Sequence, residues 1–325
     1  MFPTLQRATR GLLAALWPLA LLLTGTASPA QPPQCPPVAG HLTPEQVHEG
    51  MTTARDRGFL WRLRKDGRSS FLYGTVHVAK LDWMFPGATV LGAVRASDVV
   101  ALELDLLDPA VMQALRSGMA PRPGQALPGP LARRLRAQLK AACLPEPLLN
   151  TLMPEMVATT LVVMSARRDG LDPAYAIDGF FAGLARGLNK PVLSLETPEM
   201  QLEIVQGRTP QETHTMVEQA LAELESGKAS PMLLRIAQLW ADGRFDELAR
   251  YEQWCDCLHT EAERHLHQRL LAGRNPALAQ RIDALHAGGK RVFAAVGSLH
   301  MIGETGLPAL MAQRGYEVER IELPR

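Results

Sequence analysis

Short apolar runs of strand length alternate along this chain with long amphipathic stretches, and the order of the two sets the expected fold. Residues 59–65 alternate as a strand does, Asp66-Gly67 supplies a hairpin turn, and 71–76 is the returning strand. A short helix is expected over 86–96, with Pro86 in a first turn that needs no donor from it. The β-branched run 99–105 turns acidic at its end, as a parallel strand does when it delivers carboxylates to a sheet edge. Residues 108–187 read as helices, broken between Pro121 and Pro130 and kinked at Pro154. Residues 190–196 are a further buried strand, and Thr197-Pro198-Glu199 caps the next helix. The stretch 209–273 is helical with charged faces, and Arg274-Asn275-Pro276 opens a helix running to His286, stopped at Gly288-Gly289. A strand from Arg291, a turn through Gly303–Gly306, a helix to Gln313 and a strand over 316–323 complete the chain. The expectation is an α/β fold: a mixed β-sheet core flanked by helices, with a large all-α insertion between strands. One domain over 59–325 carries that insertion in two parts, at about 108–187 and 209–290.

The beginning of the chain stands apart. Arg7 and Arg10 precede an apolar run from Gly11 to Leu23, and small residues follow through Ala30, the order of a secretory signal. The run is too short to span a bilayer comfortably. Cleavage is placed after Ala30, with Ala27 as the alternative, and the Pro-rich segment 31–58 is read as an extended lead-in. The expected product is secreted or periplasmic, with no stable membrane span once the signal is removed. Cleavage at Ala30 leaves 32 basic residues against 33 acidic ones, so the basic footprint that nucleic acid requires is lacking. In an exported chain the four cysteines favour disulfides. Cys255 and Cys257 are so close in sequence that each is expected to bond one of Cys35 and Cys143, in either of two ways.

Candidate chemistry gathers at strand ends. The run Gly74-Thr-Val-His77 follows one strand and Gly297-Ser-Leu-His300 follows another, so a Gly-x-x-His motif occurs twice, more than two hundred residues apart. In open α/β sheets ligands collect at the C-terminal edge of the strands. Two imidazoles with Glu103, and with Glu196 in support, form an open donor set suited to a divalent transition ion: Mn, Co, Fe or Zn. Three protein ligands would leave a position for a water of lowered pKa, the outline of a hydrolase. His259, Glu263 and His267 are spaced to share a helical face, but Glu261, Arg264, His265 and Arg269 around them mark a solvated one. No G-x-S-x-G elbow and no phosphate-binding glycine loop occurs.

Together, Gly74-Thr75-Val76-His77, Ala101-Leu102-Glu103-Leu104-Asp105, Pro191 to Gln201, Arg274-Asn275 and Val296-Gly297-Ser298-Leu299-His300 resemble the TraB/GumN family in order and spacing, over about 59–323. The resemblance implies a fold like that of the erythromycin esterase and ChaN-like group. It also implies an activity like that of the family's animal Tiki members, metal-dependent proteases that clip secreted signalling ligands. Carried over by position, it points to His77, His300 and Glu103 as metal ligands, with Glu103 also catalytic. Arg274 and Asn275 become catalytic through stabilising charge on the substrate oxygen, and Glu196, Gln201, Gly74 and Gly297 are supporting residues. Ser298-Leu299 departs from the small residues of the family pattern, which changes packing and leaves the histidine in place.

The reading from sequence is therefore an exported metal-dependent hydrolase, foremost a peptidase, acting on a peptide or small-molecule substrate. A metal-free esterase using His77 and Glu103, and a non-catalytic periplasmic haem- or metal-binding protein, are the alternatives.

Overall fold

Two strands joined by a tight turn begin the sheet. β1 (Phe59–Lys65) and β2 (Arg68–Thr75) pair antiparallel from Phe59↔Gly74 to Lys65↔Arg68. Asp66 and Gly67 both have positive φ, 50° and 70°, the two-residue turn whose twist matches that of the strands. The structure, a computed structural model, describes residues 35–324, so the expected signal sequence and cleavage site lie outside the described residues. From Pro36 onward the chain forms one compact unit.

β3 (Val99–Leu102), β4 (Val192–Ser194), β5 (Val292–Gly297) and β6 (Glu317–Ile321) complete a six-stranded mixed sheet in the order β4-β3-β5-β2-β1-β6. β4, β3, β5 and β2 run parallel, and β1 and β6 are antiparallel to their neighbours. The C-terminal ends of four strands thus lie along one edge. The register brings them level, with Thr75 beside Gly297, and Leu102 beside both Ala295 and Ser194.

Burial follows sequence. All six residues of β5, VFAAVG, are buried, as expected of a central parallel strand covered on both faces. Tyr73, Phe181 and Phe293 meet with ring centroids 5.0 to 5.9 Å apart, fixing the helix Ile177–Gly187 against β2 and β5. β6 is an edge strand, and Arg62 and Arg64 of β1 pair with its Glu317 and Glu319, charges that discourage further strand addition. The helices Gly129–Ala141, Pro154–Met164 and Pro210–Glu225 pack into a second cluster through Leu135, Leu139, Leu161, Val217 and Leu221. The two helical stretches, one on each side of β4, therefore meet in one layer.

Four expectations are corrected. The lead-in contains a helix, Pro44–Thr53, because Thr43 and Gln46 form a capping box and Pro44 sits in the first turn. β3 and β4 end at Leu102 and Ser194, short of Glu103 and Glu196, which are still joined by a backbone hydrogen bond from the Glu196 amide to the Glu103 carbonyl at 3.0 Å. Pro154 opens a helix where a kink was expected. Cys255 bonds Cys257 directly: Asp256 takes φ 52°, and the turn brings the two Cα atoms to 5.1 Å, within disulfide reach. No cysteine among the described residues is free.

Candidate active site

Each strand on the parallel edge contributes one ionisable group just past its last paired residue. His77 follows β2, Glu103 follows β3, Glu196 lies two residues beyond β4, and His300 sits in the single helical turn after β5. The motif glycines have a steric reason. A Cβ on Gly74 would stand 2.9 Å from Ser298 Oγ and 3.3 Å from Ser298 Cα. One on Gly297 would stand 3.2 Å from Glu103 Oε1 and 3.3 Å from His77 Nε2. Ser298 donates its hydroxyl to the Thr75 carbonyl at 2.8 Å, binding the two Gly-x-x-His turns to each other.

Arg274 lies at the centre of the buried part of the cluster. Its Nε donates to Glu196 Oε1 at 2.9 Å, Nη2 donates to both Glu103 and Glu196, and Nη1 donates to the Leu270 carbonyl at 3.0 Å and to His300 Nε2 at 3.1 Å. All five of its N–H groups are thereby engaged. An arginine can only donate, so His300 Nε2 must be the unprotonated nitrogen, and Nδ1–H donates to Asn275 Oδ1 at 2.6 Å. Asn275 is itself buried, and it donates to the Thr305 carbonyl at 2.7 Å. Burial, with the nearby Arg274 and His77 cations, holds the His300 pKa down to about 4, against the pull of Glu103. His300 is thus a neutral acceptor for Arg274. Gln201 donates to Glu196 at 3.1 Å and to Glu103 at 3.4 Å.

His77 has different surroundings. Its side chain is 64% exposed, while Glu103 and Arg274 are nearly covered. Nδ1 lies 3.3 Å from Asp178 Oδ2, in the first turn of the helix Ile177–Gly187, and Asp178 Oδ1 accepts the Thr75 hydroxyl at 2.8 Å. Nε2 lies 3.8 Å from Glu103 Oε1, which accepts the Gly297 amide at 2.8 Å. Partial desolvation opposes a charge on the ring, but the Asp178 carboxylate 3.3 Å away, with that of Glu103, outweighs it and raises the pKa to about 9. Glu103 is pushed the other way. Burial favours its neutral form, yet the His77 and Arg274 cations and the Gly297 amide bring its pKa down to about 2.

His77, Glu103, Asp178, Gln201 and Arg274 all line a cavity of about 460 Å³. The expected residues therefore converge, although not all in their expected roles. Asp178, absent from the sequence-based set, is the partner of His77; its only trace in sequence is an acid in a helix's first turn, where many acids serve the helix dipole alone. Asn275 faces His300 and a backbone carbonyl, and the donors of Arg274 are fully used, so neither offers a free donor to a substrate oxygen. The three expected metal ligands do not present three donors to one point. Both ring nitrogens of His300 are engaged and Arg274 lies on the second oxygen of Glu103, which leaves His77 Nε2 and Glu103 Oε1. Among the described residues no group of three His, Cys, Asp or Glu side chains is arranged to hold a metal ion.

The His259, Glu263 and His267 set is also separated. His259 precedes the helix Glu261–Leu270 and meets Asp256, Glu263 closes a capping box with Thr260, and His267 stacks on Tyr251.

The family model of TraB/PrgY/gumN matches residues 59–320, from β1 nearly to the end of β6. The chain belongs to the TraB/PrgY/gumN family. The match takes in both Gly-x-x-His turns, Glu103, Asp178, Glu196 and Arg274, so in this TraB/PrgY/gumN chain the whole parallel-edge cluster lies in the family's own region. No curated protein and no solved structure matches the chain.

Proposed function

We propose that this protein is an exported hydrolase in which His77, held by Asp178, is the general base that directs water onto a substrate carbonyl. One observation carries the reading: His77 is the single ring of the cluster that is open to the cavity, with the Asp178 carboxylate at Nδ1 and the Glu103 carboxylate 3.8 Å from Nε2. The 3.8 Å gap between Nε2 and Glu103 Oε1 is too long for a direct hydrogen bond and suits a water shared between them. Nε2 takes a proton as the water oxygen attacks the carbonyl carbon. When the bond to the leaving group breaks, the same proton passes to the departing atom. Asp178 keeps the ring oriented and offsets its charge in between. Arg274, Glu196, Asn275 and His300 form the rigid support that fixes Glu103.

With a pKa of about 9, His77 is in its base form for only about 1% of molecules at pH 7, so activity climbs with pH. The test is kcat/KM against pH on a panel of esters and anilides, in the intact protein and in His77→Ala. The expected profile rises with unit slope to a plateau above about pH 9, and His77→Ala lowers the plateau by about 10²–10⁴-fold. A profile that falls through that pH, or an unchanged rate in His77→Ala, would overturn the mechanism.

A second reading, the metal-dependent peptidase that the family resemblance implies, is favoured by the two donors left open, His77 Nε2 and Glu103 Oε1. To join them as a third ligand, His300 would have to part from Arg274. Turnover that disappears on chelation and returns with Mn, Co, Fe or Zn would support this reading over the first. Export is supported by the paired cysteines, which suit an oxidising compartment. Among the described residues no helix is long and apolar enough to cross a membrane.

A further inference from the structure

The cavity above His77 has two unlike ends. Its ionisable groups lie at the sheet edge, and the rest of the wall is apolar: Leu104 and Leu106 after β3, Val163 from the helix Pro154–Met164, Ile204 and Val205 at the end of the helix Pro198–Val205, and Leu270 at the end of the helix Glu261–Leu270. Leu106 is 48% exposed at the rim and its neighbour Leu107 is 50% exposed, the principal large aliphatic side chains left in water on the α/β domain among the described residues. Apolar side chains held open beside a polar cluster mark a place for an apolar ligand group.

Charge narrows the class further. Arg274 is the only lysine or arginine of the lining, and each of its N–H groups already has an acceptor. The one cation left with an open donor is His77 itself, and Asp178 at 3.3 Å and Glu103 at 3.8 Å already offset its charge, so an anionic substrate group would meet two carboxylates beside that ring. We infer that the substrate is a neutral acyl compound carrying a bulky branched or aromatic group next to the scissile carbonyl, seated between Leu106, Val163, Ile204 and Leu270 with the carbonyl at His77. Phosphoesters and acyl groups with an acidic side chain are poor substrates by the same geometry. The inference rests on the hydrolase reading and specifies the substrate class of that site.

The experiment uses the full chain with N-acetyl-leucine, N-acetyl-glycine and N-acetyl-aspartate p-nitroanilides and the matching p-nitrophenyl esters. Beside these, calorimetry measures binding of the leucine, glycine and aspartate methyl ketones, which have no bond to cleave. The leucyl compounds are expected to exceed the glycyl ones by about tenfold or more in kcat/KM and in affinity, the gain from burying one branched side chain, and the aspartyl compounds to be weakest. Esters cleaved while anilides are not would assign the leaving group without altering the acyl preference. Leu106→Glu, at a half-exposed position, is expected to keep its Tm and lose about tenfold on the leucyl substrate, mostly in KM, with a clearly smaller loss on the glycyl substrate. Equal turnover of all three side chains, or an equal loss on both substrates in Leu106→Glu, would overturn the inference and leave the hydrolase reading standing. Selective binding of the leucyl ketone with no turnover of any substrate would keep the pocket assignment and reject the hydrolase reading.

Discussion

Replacing Asp178 by Asn tests the pair on which the mechanism turns. The change is nearly isosteric, and the Thr75 hydroxyl at 2.8 Å can still donate to an amide oxygen, so the helix start is undisturbed. What is lost is the negative charge 3.3 Å from His77 Nδ1. That charge, with Glu103, holds the ring's pKa at about 9 against its ordinary 6.5, and partial desolvation would otherwise lower it. Glu103 remains at 3.8 Å, so the variant's midpoint is expected at least one pH unit below 9 and not necessarily back at 6.5. Each pH unit corresponds to about 1.4 kcal/mol between the two protonation states. As a contribution to folding the difference must be discounted, because 64% of the His77 side chain is open to solvent that screens the pair; about 1 kcal/mol is expected. The sign follows from the raised pKa: the stabilisation is full below pH 6.5 and is lost as pH rises through about 9, so stability at pH 6 falls in Asp178→Asn and stability at pH 10 hardly changes. The assay is an NMR titration of histidine ring protons, with the His77 signal identified by its loss in His77→Gln, beside the pH profile of kcat/KM. A His77 midpoint in Asp178→Asn that matches the unchanged protein, or lies above it, would refute the pairing and the mechanism built on it.

Arg274→Ala leaves Glu103 and Glu196 buried with their principal cation gone, and should cost about 3–5 kcal/mol by urea denaturation at pH 7; a loss under about 1 kcal/mol would show that the cluster is not held by this side chain. Gly74→Ala brings a methyl group to within 2.9 Å of Ser298 Oγ and should cost about 1–3 kcal/mol, less when combined with Ser298→Gly, and strict additivity in that double-mutant cycle would contradict the close approach. Dialysis against a chelator is expected to leave kcat/KM unchanged, and a loss restored by a divalent transition ion would move the assignment to the metal-dependent reading. Glu103→Gln removes a carboxylate whose pKa lies near 2, below its ordinary 4.5, so the acid unfolding of the intact protein, steepening as pH falls from 4.5 toward 2, should begin from a lower plateau and be shallower in the variant.

Local chemistry made much of this protein readable from its chain. The hairpin at Asp66-Gly67, the apolar run of β5 and the Thr197 cap are decided by neighbouring residues, and each forms where expected. The two Gly-x-x-His motifs, Glu103 and Glu196 stood out as ionisable groups closing apolar strands, and Arg274 through the family resemblance; parallel pairing of four strands then forces the strand ends together. Strand order and register, and with them which side chains touch, are long-range properties. Asp178 is in sequence one acid among many, and only the packing of Phe181 against Tyr73 and Phe293 turns its helix so that the carboxylate reaches His77. The division of labour between the two histidines was likewise invisible in their identical motifs. Tertiary contacts place a guanidinium against one ring and open solvent against the other, and the hydrogen-bond donors and charges around each ring decide which can exchange a proton with a substrate.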